Sequence, residues 1–402
     1  MVLLLVGKIN FMPSRIRREV RAKDIPGQKE MKQVFHQMVA EERLPHAMLI
    51  HSNEGGTGLA LALHLSQLLF CEQPEAGEPC EICSGCTRTM SHTHPDIHHV
   101  FPVNGNKRVK KKEDRHSDSF LPEWREAIKA NPFLELIDWY QAIEIENKQG
   151  FIGEEESASM RRKLALRSFE GGYRVFIIWH ADKMNDSFAN KMLKNLEEPT
   201  AKTVFLLVSE NPAKLLPTII SRVQIFREDH VDEQELADFL VKHKGLDPQV
   251  AMNIAFRSEA HVSHALKEID RDEDPWLTEF KMWMRLAYSR DISGLYKWSE
   301  RMARKSRDAQ RQYCKSALKV LDRCYRMGWL EMNVPMEGEE AKFYKDFSPF
   351  INTANVGGFL ELLEEVSFHI ERNVNEKIVW FDASISAVRY VHAGKKLMAE
   401  KD

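Results

Sequence analysis

No run of about 18 apolar residues occurs in this 402-residue chain, which excludes an ordinary membrane-spanning helix. An excess of one charge is missing too: 57 Lys and Arg stand against 60 Asp and Glu, a formal balance of −3. That excludes a histone-like polycation, so any contact with nucleic acid must be local or shared with other chains. Internal repeats and low-complexity tracts are absent. Cysteine is scarce, with six in all, and four of them fall within the sixteen residues from Cys71 to Cys86. A secreted disulfide framework would spread them, so the clustering points to a cytoplasmic protein with a metal site. With 43% apolar and 29% charged residues, the composition is that of a soluble globular protein of two or three domains. The opening run Met1–Val6 is too short for a signal sequence, and its basic stretch, Arg15–Arg21, follows instead of preceding it. Residues 1–22 are expected to form a poorly structured extension, with Met12 as an alternative start.

What is present is alternation. Short apolar runs at 47–50, 96–101, 174–178, 203–208 and 223–226 read as strands. Helical patterns separate them, including 59–70 and 186–198, the latter stopped by Pro199. Strands alternating with helices imply a parallel sheet covered on both faces. Beyond about 232 strand signals vanish. Helices are expected at 232–243 and 247–256, split by Gly245, and then as long patterns at 276–290, 292–328 and 357–393. Residues 104–119 carry Lys107–Lys112 without apolar periodicity; a solvated loop is favoured over a phosphate-contacting one. Trp124, Phe133, Trp139 and Tyr140 belong to no motif and are expected in the core.

Cys71, Cys80, Cys83 and Cys86 follow a C-x8-C-x2-C-x2-C spacing, with Gly77, Pro79 and Gly85 as turn residues. Four thiolates around one Zn2+ leave no open position, so the site would be structural. The competing reading is four free thiols. His92, His94, His98 and His99 could substitute as ligands, although a surface or strand location is favoured for them.

After the strand at 47–50 comes a glycine-rich turn, His51–Gly58, opening a helix. That is the position of a phosphate loop, G-x-x-x-x-G-K-[ST]. Aligned on Gly58, the first glycine becomes Asn53, the lysine Leu59 and the hydroxyl residue Ala60, while Gly55 and Gly56 remain. Leucine brings no charge to a phosphate and alanine no ligand to Mg2+. A residual anion site at the helix start stays open. After the strand at 174–178, where an acidic pair would hold the metal, stand Trp179 and His180, which offer no hard carboxylate oxygen. Bound nucleotide, if any, is not expected to be hydrolysed.

Several motifs together resemble the delta-prime family of bacterial DNA polymerase III clamp-loader subunits: Lys23–Gln28, Leu44–Ala47, the cysteine spacing, Ala181–Asn185 followed by Asn190–Pro199, and Pro217–Arg222. Val223 stands where the family's serine-arginine-cysteine motif has cysteine. The resemblance implies an α/β AAA+ P-loop-type core at 23–230 carrying the zinc module, an all-α lid at 231–270 and an α-helical collar at 271–402. It implies partners, namely the gamma/tau and delta subunits, and, through the assembled complex, the sliding clamp and primed DNA. It also implies a role for Arg222 as an arginine finger in a neighbour's ATP site, supported by Ser221. Judged alone, Arg222 would read as a surface arginine pairing with Glu228 or Asp229. Glu197 and Glu198 read as packing or interface residues. The lid lacks an obvious nucleotide-sensing arginine, its place falling on Ser263. Two other readings compete: an active ATPase of the gamma/tau type, and a zinc-dependent nucleic-acid-binding protein. Leu59, Ala60, Trp179 and His180 argue against the first. Glu72, Glu75, Glu78 and Glu81 around the cysteines argue against the second.

Overall fold

A computed structural model describes residues 24–75, 77–146, 148–169, 172–269, 275–329, 338–372 and 374–399. The expectations for residues 1–22 and for Lys23 lie outside them. The chain divides into two compact units, Met1–Asp270 and Arg271–Asp402.

In the first unit the elements run α1 (Lys29–Ala40), β1 (Ala47–His51), α2 (Gly58–Leu69), α3 (Ser84–Met90), β2 (Ile97–Val100), α4 (Leu121–Ala130), α5 (Leu136–Ala142), α6 (Glu154–Ala165), β3 (Arg174–Trp179), α7 (Asp186–Glu197), β4 (Thr203–Ser209), α8 (Pro217–Ile220) and β5 (Gln224–Arg227). Three further helices follow: α9 (Glu233–Lys244), α10 (Pro248–Arg257) and α11 (Val262–Glu268). The five strands form one sheet in the order β2-β3-β4-β1-β5, and every pairing is parallel. All seven residues of β4 and all six of β3 are buried, as strands covered on both faces must be. Side chains alternate between two cores, as the strand period of two requires. Val175, Ile177, Trp179, Val204, Leu206 and Val208 join α2 and the aromatic cluster on one face. Phe176, Ile178, Phe205 and Leu207 meet Met160, Phe188, Met192 and Leu196 of α6 and α7 on the other.

Trp124, Phe133, Trp139 and Tyr140 are buried, as expected. Trp139 donates its indole N–H to the Pro102 carbonyl at 2.8 Å, which satisfies the one polar atom its burial would strand. The basic residues at 107, 108 and 110–112 are exposed, as the solvated-loop reading has them, and the segment is also anchored. Val109 is buried, Arg108 sits 5.3 Å from the Phe120 ring centroid, and its guanidinium meets Glu123 at 2.6 Å. His98 and His99 lie in β2, as the strand alternative has it, whereas His94 is buried outside any strand, and the four cysteines form a cluster without any of the four histidines.

The second unit is helical: α12 (Pro275–Ser289), α13 (Ile292–Ala303), α14 (Arg307–Gly328), α15 (Gly338–Phe347), α16 (Val356–Glu371) and α17 (Glu376–Ala399). The long pattern expected over 292–328 breaks at 304–306, where Ser306 caps α14 by accepting the Ala309 N–H. The pattern over 357–393 breaks before α17, where Asn375 accepts the N–H groups of Lys377 and Ile378. The first break falls in Arg304–Asp308, which holds no apolar residue, whereas the apolar spacing Ile370, Val374, Ile378 continues across the second. Trp283, Trp298 and Trp380 pack around Tyr313, and each indole N–H has a partner: Ser384, Glu279 and Gln310 respectively. Cys314 and Cys324 are buried in this unit's core. Among the described residues no helix is long and apolar enough to cross a membrane.

Burial, with Lys163 and Arg174, pulls the His98 imidazole down to about 3; burial, with Arg125 and Lys129, pulls His92 down to about 4. An unfolded histidine titrates near about 6.5, so below that pH the unfolded chain takes up protons that the folded one refuses. Stability is therefore expected to fall as pH drops from 6.5 towards 4, by about 1.4 kcal/mol per pH unit for each such histidine. Urea midpoints at pH 7 and pH 5 test this. The fall should be shallower in His98→Gln, and an equal fall in that variant would refute the assignment.

Candidate functional site

The glycine-rich turn joins β1 to α2, and two of its backbone N–H groups, those of Asn53 and Thr57, converge with the Ser52 and Thr57 hydroxyls on one anion. The group they hold is a carboxylate of the chain itself. Glu228, the residue after β5, is 8% exposed and lies in the loop. Its Oε2 accepts from the Asn53 N–H at 2.9 Å and the Ser52 hydroxyl at 2.6 Å. Its Oε1 accepts from the Thr57 N–H and from the Thr57 hydroxyl at 2.8 Å. A Cβ on Gly56 would lie 2.6 Å from both carboxylate oxygens, so this position accommodates only glycine while Glu228 is seated. The seat is fixed from behind. Gln28, at the start of α1, donates to the Asp229 carbonyl at 2.6 Å and accepts the Asp229 N–H at 3.1 Å.

Beside the loop is an open cleft lined by Ser52, Gly55, Gly56, Leu59, Leu134, Trp179, His180, Val208, Ser209 and Glu210. No lysine or arginine is among those residues. Leu59 and Ala60 are buried in the first turn of α2, so the positions that would carry a lysine and a hydroxyl serve as packing instead. Trp179 ends β3 and is buried against Trp124, with ring centroids 5.1 Å apart. His180 follows it in a left-handed conformation (φ 50), its Nδ1 3.7 Å from Asp182, whose carboxylate accepts from the Ser209 hydroxyl at 3.1 Å. Burial pushes the Glu210 carboxyl up.

Helix α11 is tied to this region. The Ser263 N–H reaches the Gly55 carbonyl at 3.4 Å. Glu135 meets Lys267 at 2.6 Å and His264 at 3.1 Å, and Lys267 also meets Asp138 at 2.8 Å. Burial alone would raise the Glu135 carboxyl, but His264 and Lys267 bring it well below the usual carboxylate range.

Arg222 lies elsewhere, just past α8. Its guanidinium donates to the Thr218 carbonyl at 2.9 Å and to the Ser221 hydroxyl at 3.2 Å, and it meets Glu197 at 2.6 Å. The acidic partner is thus at the end of α7, not Glu228 or Asp229. Ser221 also donates to the Thr218 carbonyl at 3.1 Å, so the serine and arginine share one anchor.

The cysteine sulfurs of Cys71, Cys80, Cys83 and Cys86 all lie within 4.8 Å of one another, with Cys80 and Cys86 at 4.0 Å. Four sulfurs around Zn2+ at about 2.3 Å would be about 3.8 Å apart, so the set fits the ion. The N–H groups of Cys80 and Cys86 point at the sulfurs of Cys71 (3.2 Å) and Cys83 (3.3 Å), as suits thiolates. N–H donors from Ile82 and Cys83 bring the Cys80 thiol down to about 7. Gly85 lets α3 press on the end of α2: a Cβ there would lie 1.9 Å from the Phe70 carbonyl oxygen.

Glu228 was not identified as a site residue from sequence, because its partners lie 171 to 176 positions away. Removing its carboxylate leaves four donors without their acceptor. Glu228→Ala is expected to lower unfolding free energy by about 2–4 kcal/mol, with water entering from the cleft to limit the loss. Urea titration checks this, and an unchanged midpoint would show that the carboxylate is not held there.

A family described as DNA polymerase III, delta subunit, matches residues 27–231. The chain is 30% identical over 247 residues to DNA polymerase III subunit delta' of Bacillus subtilis, covering 61% of this chain and 60% of that one. It is 23% identical over 349 residues to the delta' subunit of Escherichia coli, covering 87% and 90%. Against the Yersinia pestis delta' subunit the chain spans only 44% of that protein's length. Among solved structures, a gamma-subunit-related protein of Thermotoga maritima aligns with a TM-score of 0.34 at 13% identity, over 90% of this chain and 99% of that one. The family match alone takes in 205 of the 402 residues, and this chain belongs to the delta-prime family of DNA polymerase III.

Proposed function

We propose that this protein is a non-hydrolysing subunit of the DNA polymerase III clamp loader, a cytoplasmic complex that places the sliding clamp on primed DNA. In this reading it assembles with the delta and gamma/tau subunits, residues 23–230 forming the AAA+ core, 231–270 the lid and 271–402 the collar. The observation that carries the non-hydrolysing reading is the Glu228 carboxylate in the glycine-rich loop. A γ- or β-phosphate would have to displace a negative charge already held by four donors. It would then find buried Leu59 and Ala60 in place of a lysine and a Mg2+ ligand. Trp179 and His180 supply no carboxylate to hold the metal or orient water.

Arg222 is the residue proposed to act in trans. An exposed pair such as Arg222–Glu197 contributes about 0–1 kcal/mol, so exchanging Glu197 for a neighbour's phosphate costs little. The always-charged planar guanidinium suits that exchange. The cysteine cluster is proposed to hold structural Zn2+, its four sulfurs leaving no open coordination position.

ATP hydrolysis, measured for the lone chain and for its mixture with gamma/tau and delta subunits, tests the scheme. No turnover is expected alone. Arg222→Ala should lower turnover of the mixture by at least tenfold while assembly, read by gel filtration, is retained; unchanged turnover removes the finger. Hydrolysis by the lone chain, surviving contaminant controls, removes the non-hydrolysing reading. Cys83→Ser should release the cluster's metal and lower the melting temperature; unchanged thiolate-bound metal content would sink the structural-zinc assignment.

A further inference from the structure

A second group of potential ligands lies beside the cysteine ribbon. His36 comes from α1, His64 from α2, and Glu78 from the ribbon itself, two residues before Cys80. Their ligand atoms all lie within 4.8 Å of one another. The two imidazole Nε2 atoms are 3.3 Å apart, and the Glu78 Oε2 is 3.8 Å from the His64 Nε2. Two nitrogens bound to tetrahedral Zn2+ at about 2.0–2.1 Å would be about 3.3 Å apart. We propose that His36, His64 and Glu78 form a second divalent-cation site of the zinc type, with water completing its coordination.

The surroundings are built for this placement. The backbone of Glu78 is fixed by reciprocal hydrogen bonds with Glu75, at 2.9 and 2.8 Å. Gly77 has φ +82, and a Cβ there would lie 2.5 Å from the His36 Nδ1, so the ring packs where only glycine allows it. His64 is fully buried in the middle of α2, where a histidine needs a partner. Lys32 takes the other Glu78 oxygen, Oε1, at 2.7 Å and leaves Oε2 buried without a hydrogen-bond partner. One proton shared between the two imidazoles satisfies their facing nitrogens but does nothing for that oxygen. A cation satisfies all three atoms together. Burial keeps both rings neutral near pH 7, with their lone pairs available. The ion would join α1, α2 and the ribbon, which no single cysteine-bound ion does.

Cobalt substitution of the full-length chain separates the two sites. Thiolate ligation gives intense near-ultraviolet charge-transfer bands, which imidazole and carboxylate ligation does not. Titration of metal-free protein with Co2+ should saturate at two ions per chain, only one of them adding thiolate bands. His36→Gln should bind one ion with the thiolate bands intact. Glu78→Gln, which keeps the shape of the ribbon, should weaken the second ion at least tenfold. Wild-type saturation at one thiolate-bound ion overturns the proposal. So does a second ion that persists at unchanged affinity in both variants. Loss of the thiolate bands alone, with the second ion retained, would instead strike the cysteine site.

Discussion

A cradle of backbone N–H groups at the start of a helix demands an anion, and in this chain the anion is Glu228. The glycine-rich turn concentrates partial positive charge at the N-terminus of α2. Leaving its donors unpaired in a partly dry cleft would cost more than any one of them contributes when paired. In a nucleotide-binding protein the phosphates supply the missing charge. Here β5 supplies it, because β5 lies beside β1 in the sheet and its next residue therefore falls level with the turn. Three elements distant in sequence meet at this carboxylate: the turn after β1, the end of β5, and the start of α1 through Gln28 and Asp229. At the position of a phosphate loop stands a structural joint.

Once that joint is closed, the neighbouring features follow as parts of one arrangement. Leu59 and Ala60 are buried packing residues in the first turn of α2, where a phosphate loop would present a lysine and a metal ligand. Trp179 ends its strand inside the aromatic cluster, where an acidic pair would stand. Helix α11 is bound to α5 through Glu135, His264 and Lys267. These pairs are half-buried, so removing one partner leaves the other's charge partly desolvated.

The centre of the sheet was legible in the sequence because β1, β3 and β4 are buried on both faces. Phe205, Leu206 and Leu207 form a continuous apolar run that no solvent-facing strand would tolerate. The degenerate loop was legible because its chemistry depends on residue types at fixed spacing, and Leu59 and Ala60 fail that chemistry wherever the chain folds. The helix break at 304–306 was hidden because Arg304 and Lys305 are themselves good helix formers and the cap at Ser306 is one residue among many serines. Glu228 was hidden for a different reason. A carboxylate after a short strand carries no local mark of its destination, and only strand order brings it to Asn53 and Thr57. The same limit applied to Arg222: nearness along the chain suggested Glu228 or Asp229, whereas the packing of α7 against α8 brings Glu197. His36, His64 and Glu78 converge from three elements, and none of their spacings resembles a metal motif.

The arrangement around Glu228 sets a physical constraint on building a phosphate site in this turn. Restoring lysine at 59 and threonine at 60 would place a charge and a hydroxyl where the interior now receives apolar atoms, with desolvation unpaid by any ligand. The donors that should hold phosphate would still be occupied by Glu228. Removing Glu228 alone would free the donors but leave a cleft lined by Glu210 and lacking a cation to balance a triphosphate. Each change is unfavourable without the other, so neither alone would make a phosphate site of this turn. That coupling explains why a turn that retains its glycines does not retain its chemistry: Gly56 now makes room for a glutamate.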